Sequence, residues 1–188
     1  MPLTRRGTRL SILLPALMAL LLVLAAPTLR ADSKEKIDKD SQKALVKLRE
    51  HSSHAGELMD RAVGVLVFPD IVKMGFGVGG QYGEGSLLLD GKPAAYYVTA
   101  GASFGLQVGA QVKSEVLLFM TEEALQKFRN SRGWRAGVDG SVALIKLGGG
   151  GSIDTENIRE PVVGFIFSNK GLMYNLTMEG SKITRIAR

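Results

Sequence analysis

The sequence predicts an α+β domain: N-terminal amphipathic helices packed on a mainly antiparallel, glycine-rich, curved or barrel-like sheet, with one short mid-chain helix. Three observations carry this. The apolar period is near 3.6 over residues 34–61 and falls to 2 from Ala62 onward. Connections between the apolar runs are of hairpin length, which favours antiparallel pairing. The 23 glycines concentrate in the alternating segments, where they point to sheet architecture rather than to a flexible chain.

The first 31 residues read as an export signal. Arg5, Arg6 and Arg9 form a basic start, residues 10–26 an apolar core of 17, and Ala31 offers a small residue for cleavage before Asp32. An uncleaved membrane anchor is the alternative, against which stand the short apolar core and Pro15. The expected place is the periplasm or cell envelope, or the inner membrane if the signal is retained. Residues 32–188 then form one domain. The full chain has 24 basic and 18 acidic residues, a net +6. Four of the arginines lie in the signal, so the remainder holds 20 against 18, a net of +2. That balance excludes the basic stripe that nucleic-acid binding needs. The absence of cysteine excludes a disulfide framework, a thiolate metal site and a lipid-modified cysteine.

Ile37, Ala44, Leu45, Leu48, Ala55, Leu58, Met59 and Ala62 make one apolar stripe. Such a stripe normally faces a core; its other use is shallow insertion into a bilayer, with Lys34, Lys36, Lys39, Lys43 and Lys47 on lipid headgroups. Ser52-Ser53 is the expected break between two helices, with one serine as cap. Ala62–Phe68 is a buried strand stopped by Pro69-Asp70. Over Met74–Leu89, odd positions carry Gly75, Gly77, Gly79, Gly83 and Gly85. That nearly bare face implies either close packing by another element or sharp curvature. Asp90-Gly91 is a hairpin turn. Ala94–Ala102, Phe104–Val112 and Glu115–Met120 follow as strands.

Thr121 is the expected N-cap of the short helix, whose first turn holds Glu122 and Glu123 and whose inner face is Leu125 and Phe128. Val138–Leu147, Val162–Ser168, Leu172–Met178 and Lys182–Ile186 complete seven to nine short strands. Asn169-Lys170-Gly171 is the expected turn, and Gly148–Gly151 a flexible loop.

Catalytic signals are weak. Gly75–Gly80 contains G-x-G-x-x-G, but no helix pattern follows it to present an N-terminus to a pyrophosphate. No phosphate loop or nucleophile elbow is present. His51 and His54 are i, i+3 and share a helical face, yet two ligands do not define a zinc site. No enzyme activity, metal or cofactor is expected. The strongest local charge feature is Lys127, Arg129, Arg132 and Arg135 around Trp134, the only tryptophan. Arginine and tryptophan suit phosphate and interfacial contacts; a solvated helix end with Trp134 tucked on the core is the plainer alternative.

Ala62–Gly85, Ser103–Gln111 and Leu176–Ile183 together resemble the SYLF domain family. The strand ending at Phe68-Pro69, the glycines of 75–80, Tyr82-Gly83-Glu84-Gly85 and Gly105-Leu106-Gln107-Gly109 carry the likeness. The resemblance implies a non-enzymatic domain for acidic phospholipid, phosphoinositide-like in the wider family, with cortical actin association in yeast relatives. Actin association is not expected for an exported chain without the SH3 or FYVE module of several relatives. The expected partner is an anionic phospholipid surface. It would be met by Lys34, Lys36, Lys39, Lys43 and Lys47, and again by Lys127, Arg129, Arg132, Trp134 and Arg135. A protein-interaction module of the envelope, self-association included, is the alternative. A further one is a carrier whose glycine-lined sheet walls an apolar cavity.

Overall fold

The structure, a computed structural model, describes residues 32–147, 159–171 and 181–188. Of the expectations above, those on the signal, on Gly148–Gly151 and on Leu172–Met178 lie outside the described residues. Asp32–Arg188 is one compact unit. Its elements are α1 (Lys34–His51), α2 (Ser53–Arg61), β1 (Gly64–Leu89), β2 (Lys92–Phe119), α3 (Glu122–Asn130), β3 (Ala143–Lys146), β4 (Val162–Gly171) and β5 (Ser181–Ile186). The α+β class and the mainly antiparallel sheet are as predicted. The sheet runs β1-β2-β4-β3, with β5 also on β2; only β3–β4 is parallel.

The helix boundaries follow local chemistry. Ser33 caps α1 by accepting from the Lys36 N–H, Ser52 caps α2 by accepting from Ala55, and Thr121 caps α3 by accepting from Ala124. Each satisfies an N–H that the helix itself cannot.

The strands differ from the expected set of seven to nine short ones. Among the described residues there are five, and two of them are long. Pro69-Asp70 does not stop a strand; the β1–β2 register slips between Phe68 and Ile71 and pairing resumes. Proline is tolerated there because a bulge needs no ladder donor, and the Ser114 hydroxyl donates to the Pro69 carbonyl at 2.7 Å. Asn169-Lys170-Gly171 continues β4 rather than turning. At the other end of β1, Asp90 (φ 49°) and Gly91 (φ 73°) make the expected hairpin turn.

A straight strand of 26 residues would exceed the width of such a domain. β1 instead doubles back on itself. A Cβ on Gly83 would stand 2.8 Å from the Asp70 carbonyl oxygen, and one on Gly85 would overlap the Val67 carbonyl. So the glycine face is filled by the same strand's own backbone. It walls no apolar cavity at these two positions, which removes the carrier reading there. The sheet is curved but not closed into a barrel among the described residues: β1 meets itself through glycine contact, not through a hydrogen-bonded ladder, and β1, β3 and β5 each pair with one strand alone.

This reversal makes two cores. The inner one holds Leu66, Phe68, Leu87, Tyr97, Leu117, Phe119 and Ile183, closed by Leu125 and Phe128 of α3 and by Trp134. The outer one holds Val67, Val116, Leu118, Phe165 and Phe167 under Ala44, Leu48, Ala55, Leu58 and Met59. Adjacent residues of β2, Leu117 and Leu118, enter opposite cores, as the two-residue period requires.

Candidate functional site

The predicted stripe of α1 and α2 is spent on the outer core. Ile37, Ala44, Leu48 and Ala55 are buried, and polar contacts fix α1 in place. The Ser86 hydroxyl donates to Ser41 at 3.0 Å, and Tyr96 donates its phenol proton to Asp38 at 2.9 Å. The Asp32 amide donates to Glu84 at 3.1 Å. This corrects the expectation that the stripe inserts into a bilayer: burial on the sheet already removes it from water.

The stripe's burial orients the lysines. Lys36, Lys39, Lys43 and Lys47 lie on the exposed face of α1. Lys36 bridges Asp32 (2.9 Å) and Asp40 (3.3 Å), and Lys43 bonds Asp40 at 2.8 Å. The bond to Asp32 raises the Lys36 pKa, and the bond from Lys43 lowers that of Asp40. Lys39 and Lys47 make no ion pair among the described residues. Lys34 stands apart, its ammonium 6.0 Å from the centre of the Tyr96 ring.

Lys43 and Lys47 reach a cleft of about 220 Å³ whose far wall is Pro69, Asp70, Val112 and Ser114. Val112 pairs with Val72, and Ala110 with Met74. Val72 and Met74 are 38% and 51% exposed. An apolar patch on the outer sheet face therefore adjoins the lysines of α1. Sequence reasoning missed Val72 and Met74. Their alternation with Lys73 gave the faces but not which face was covered.

The second predicted cluster is on the other side of β2, because α3 seals the inner core. Lys127, Arg129, Arg132 and Arg135 are exposed. Arg135 sits 3.5 Å from Asp139, whose carboxylate also accepts the Arg135 backbone N–H. Trp134 is 2% exposed, meets Phe128 edge-on at 5.6 Å, and exchanges backbone hydrogen bonds with Ile183. It serves the core and presents no ring to an interface. That backbone pairing draws in Lys182, whose ammonium lies 2.9 Å from where a Gly133 Cβ would stand. Lys182 joins the cluster through a strand pairing that sequence spacing does not reveal.

His51 ends α1 and His54 lies in α2, so the expected shared helical face is broken at Ser52. The His51 Nδ1 bonds the Lys47 carbonyl at 2.7 Å. Among the described residues no three His, Cys, Asp or Glu side chains gather as metal ligands, and no helix is long and apolar enough to cross a membrane. Gly75–Gly80 runs within β1 with no helix after it, unlike a dinucleotide loop.

The described residues thus form a doubled-back ribbon with two covered cores and charged outer surfaces, one of which carries the cleft beside Lys43 and Lys47. Residues 100–187 match the model of the Ysc84 family, described as Las17-binding protein actin regulator; this segment is a Ysc84 (SYLF) domain. The match takes in most of β2 and everything after it, while Ala62–Gly85 precedes it. No curated protein matches the chain.

Proposed function

We propose that the chain is a non-enzymatic, exported domain that docks on anionic phospholipid through its outer face. One observation carries this: exposed Val72 and Met74 adjoin Lys43 and Lys47 across a cleft floored by Val112. Each lysine near an anionic surface contributes about 1 kcal/mol. Apolar side chains beside them add about 25 cal/mol for each Å² withdrawn from water. Lys36 and Lys39 extend the positive face. In a bacterial envelope, the place the leader-like N-terminus suggests, phosphatidylglycerol or cardiolipin would supply the charge. The family description supports a role in binding rather than catalysis.

The test is co-sedimentation of residues 32–188 with phosphatidylglycerol or phosphatidylcholine vesicles. Binding should require the anionic lipid and weaken as salt rises. Lys43→Glu with Lys47→Glu should weaken it about tenfold or more, and Met74→Ser should weaken it further. Equal binding to both vesicles, or indifference to salt, overturns the reading. Self-association is the alternative, and a concentration-dependent molar mass in the absence of lipid would favour it.

A further inference from the structure

The start of the folded unit is held by a buried carboxylate. Glu84 of β1 is 7% exposed, and its two oxygens serve different donors. Oε1 accepts from the Tyr82 phenol at 2.6 Å and from the Arg188 guanidinium. Oε2 accepts from the backbone nitrogen of Asp32 at 3.1 Å. That nitrogen opens the compact unit Asp32–Arg188, and it belongs to the very bond at which the leader is expected to be cut. Its place is set from the other side as well. Ser33 caps α1, and Ser86 and Tyr96 hold α1 on the sheet through Ser41 and Asp38.

Cleavage after Ala31 changes the chemistry of this nitrogen. Hydrolysis by a leader-processing endopeptidase consumes one water. Its oxygen joins the Ala31 carbonyl carbon, which leaves as a carboxylate, and its two hydrogens go to the Asp32 nitrogen, which becomes an ammonium. A neutral donor facing Glu84 is thereby replaced by a cation with three N–H groups. The contact turns from a hydrogen bond with one ionised partner into an ion pair, at a carboxylate where little water screens it. The new cation also stands one residue before the Ser33 cap, at the positive end of the α1 dipole, where cations are disfavoured. A carboxylate supplied by β1 offsets that repulsion. The Asp32 side chain does less, because it is 41% exposed and engaged with Lys36 at 2.9 Å.

We infer that Glu84 is the receptor for the α-ammonium that removal of the leader creates at Asp32, so that processing tightens the folded domain. This coupling rests on the chain being exported, as proposed, and not on lipid docking.

The experiment compares residues 32–188 bearing a free Asp32 amine with the same chain Nα-acetylated, which keeps the amide N–H of the uncut chain but not the charge. In urea at neutral pH, the unfolding equilibrium constant of the free-amine form should be about tenfold smaller. An α-amine ionises near pH 8 in an unfolded chain, and Glu84 raises that value in the folded one. The advantage is therefore complete below about pH 8 and is lost as pH rises through the raised value. The other groups around the amine are Glu84, Tyr82, Arg188, Lys36 and the Asp32 carboxylate; both forms carry them, so their titration cancels. Glu84→Gln should shrink the tenfold difference to less than about twofold. If that variant fails to fold, the α-amine pKa of the wild-type protein, followed by NMR at Asp32, decides instead. Equal stability of the two forms, a difference that survives Glu84→Gln, or an amine titrating at or below about pH 8 overturns the inference. N-terminal sequencing of the exported protein should begin at Asp32, and any other first residue overturns the link to processing. Vesicle binding uses Lys43 and Lys47, which both forms share, so failure of lipid docking is read in a separate experiment.

Discussion

At the residue scale, two positions show how contact overrides composition. Gly85 looks like any other glycine of β1 in sequence, yet a methyl group there would overlap the Val67 carbonyl and crowd Phe68. Gly85→Ala should destabilise the domain by about 3 kcal/mol, as for a poorly relieved overpacking, read from urea unfolding midpoints. Gly91→Ala strains only the turn (φ 73°) and meets no atom within 4 Å, so its cost should be nearer 1 kcal/mol. Tyr82 is the other. Its phenol donates to buried Glu84 at 2.6 Å, and burial, then that bond, push its pKa up to about 12. In the unfolded chain tyrosine ionises near pH 10. The sign follows: this contribution to stability is complete below about pH 10 and is lost as pH rises through about 12. Burial also raises the Tyr96 and Tyr97 phenols, so Tyr82→Phe should remove the component near pH 12 from the tyrosinate absorbance titration and leave the others.

At the scale of elements, the helices were the most legible part of the sequence. Their stripe, the break at Ser52 and the caps Ser52 and Thr121 all depend on neighbours within four residues. Ser52→Ala should cost about 1 kcal/mol, and Leu48→Ala, at the centre of the outer core, about 2–5 kcal/mol; thermal melts check both. The strands were legible in alternation but not in extent. Pro69-Asp70 and Asn169-Lys170-Gly171 have the composition of turns, and only the partner strand shows that one is a bulge and the other continues β4. The basic clusters were legible as charges, but their surroundings were not. Trp134 reads as an interfacial residue until Phe128 and Ile183 are placed around it. The exposure of Val72 and Met74 becomes visible only once the helices are placed on the sheet.

At the scale of the whole molecule, the two basic clusters lie outside opposite faces of β2, so one flat membrane engages one cluster at a time. Reversing Lys43 and Lys47 should therefore abolish most vesicle binding, while Lys127→Glu with Arg129→Glu leaves most of it. The opposite ranking would move the docking face to α3. The net charge of +2 over residues 32–188 leaves steering to these local fields rather than to that segment's total.

The doubling back of β1 also orders events in time. Leu89 pairs with Lys92 across the turn, but Gly64 pairs with Phe119, 55 residues away. Closing short loops is far less demanding than closing long ones, so the hairpin should zip outward from Asp90-Gly91. The crossing of Val67 over Gly85 can form only after both halves of β1 have their partners. Substitutions beside the turn should slow refolding, whereas Gly85→Ala should chiefly quicken unfolding. Stopped-flow chevrons of the two variants would show whether the ribbon is completed before it is creased.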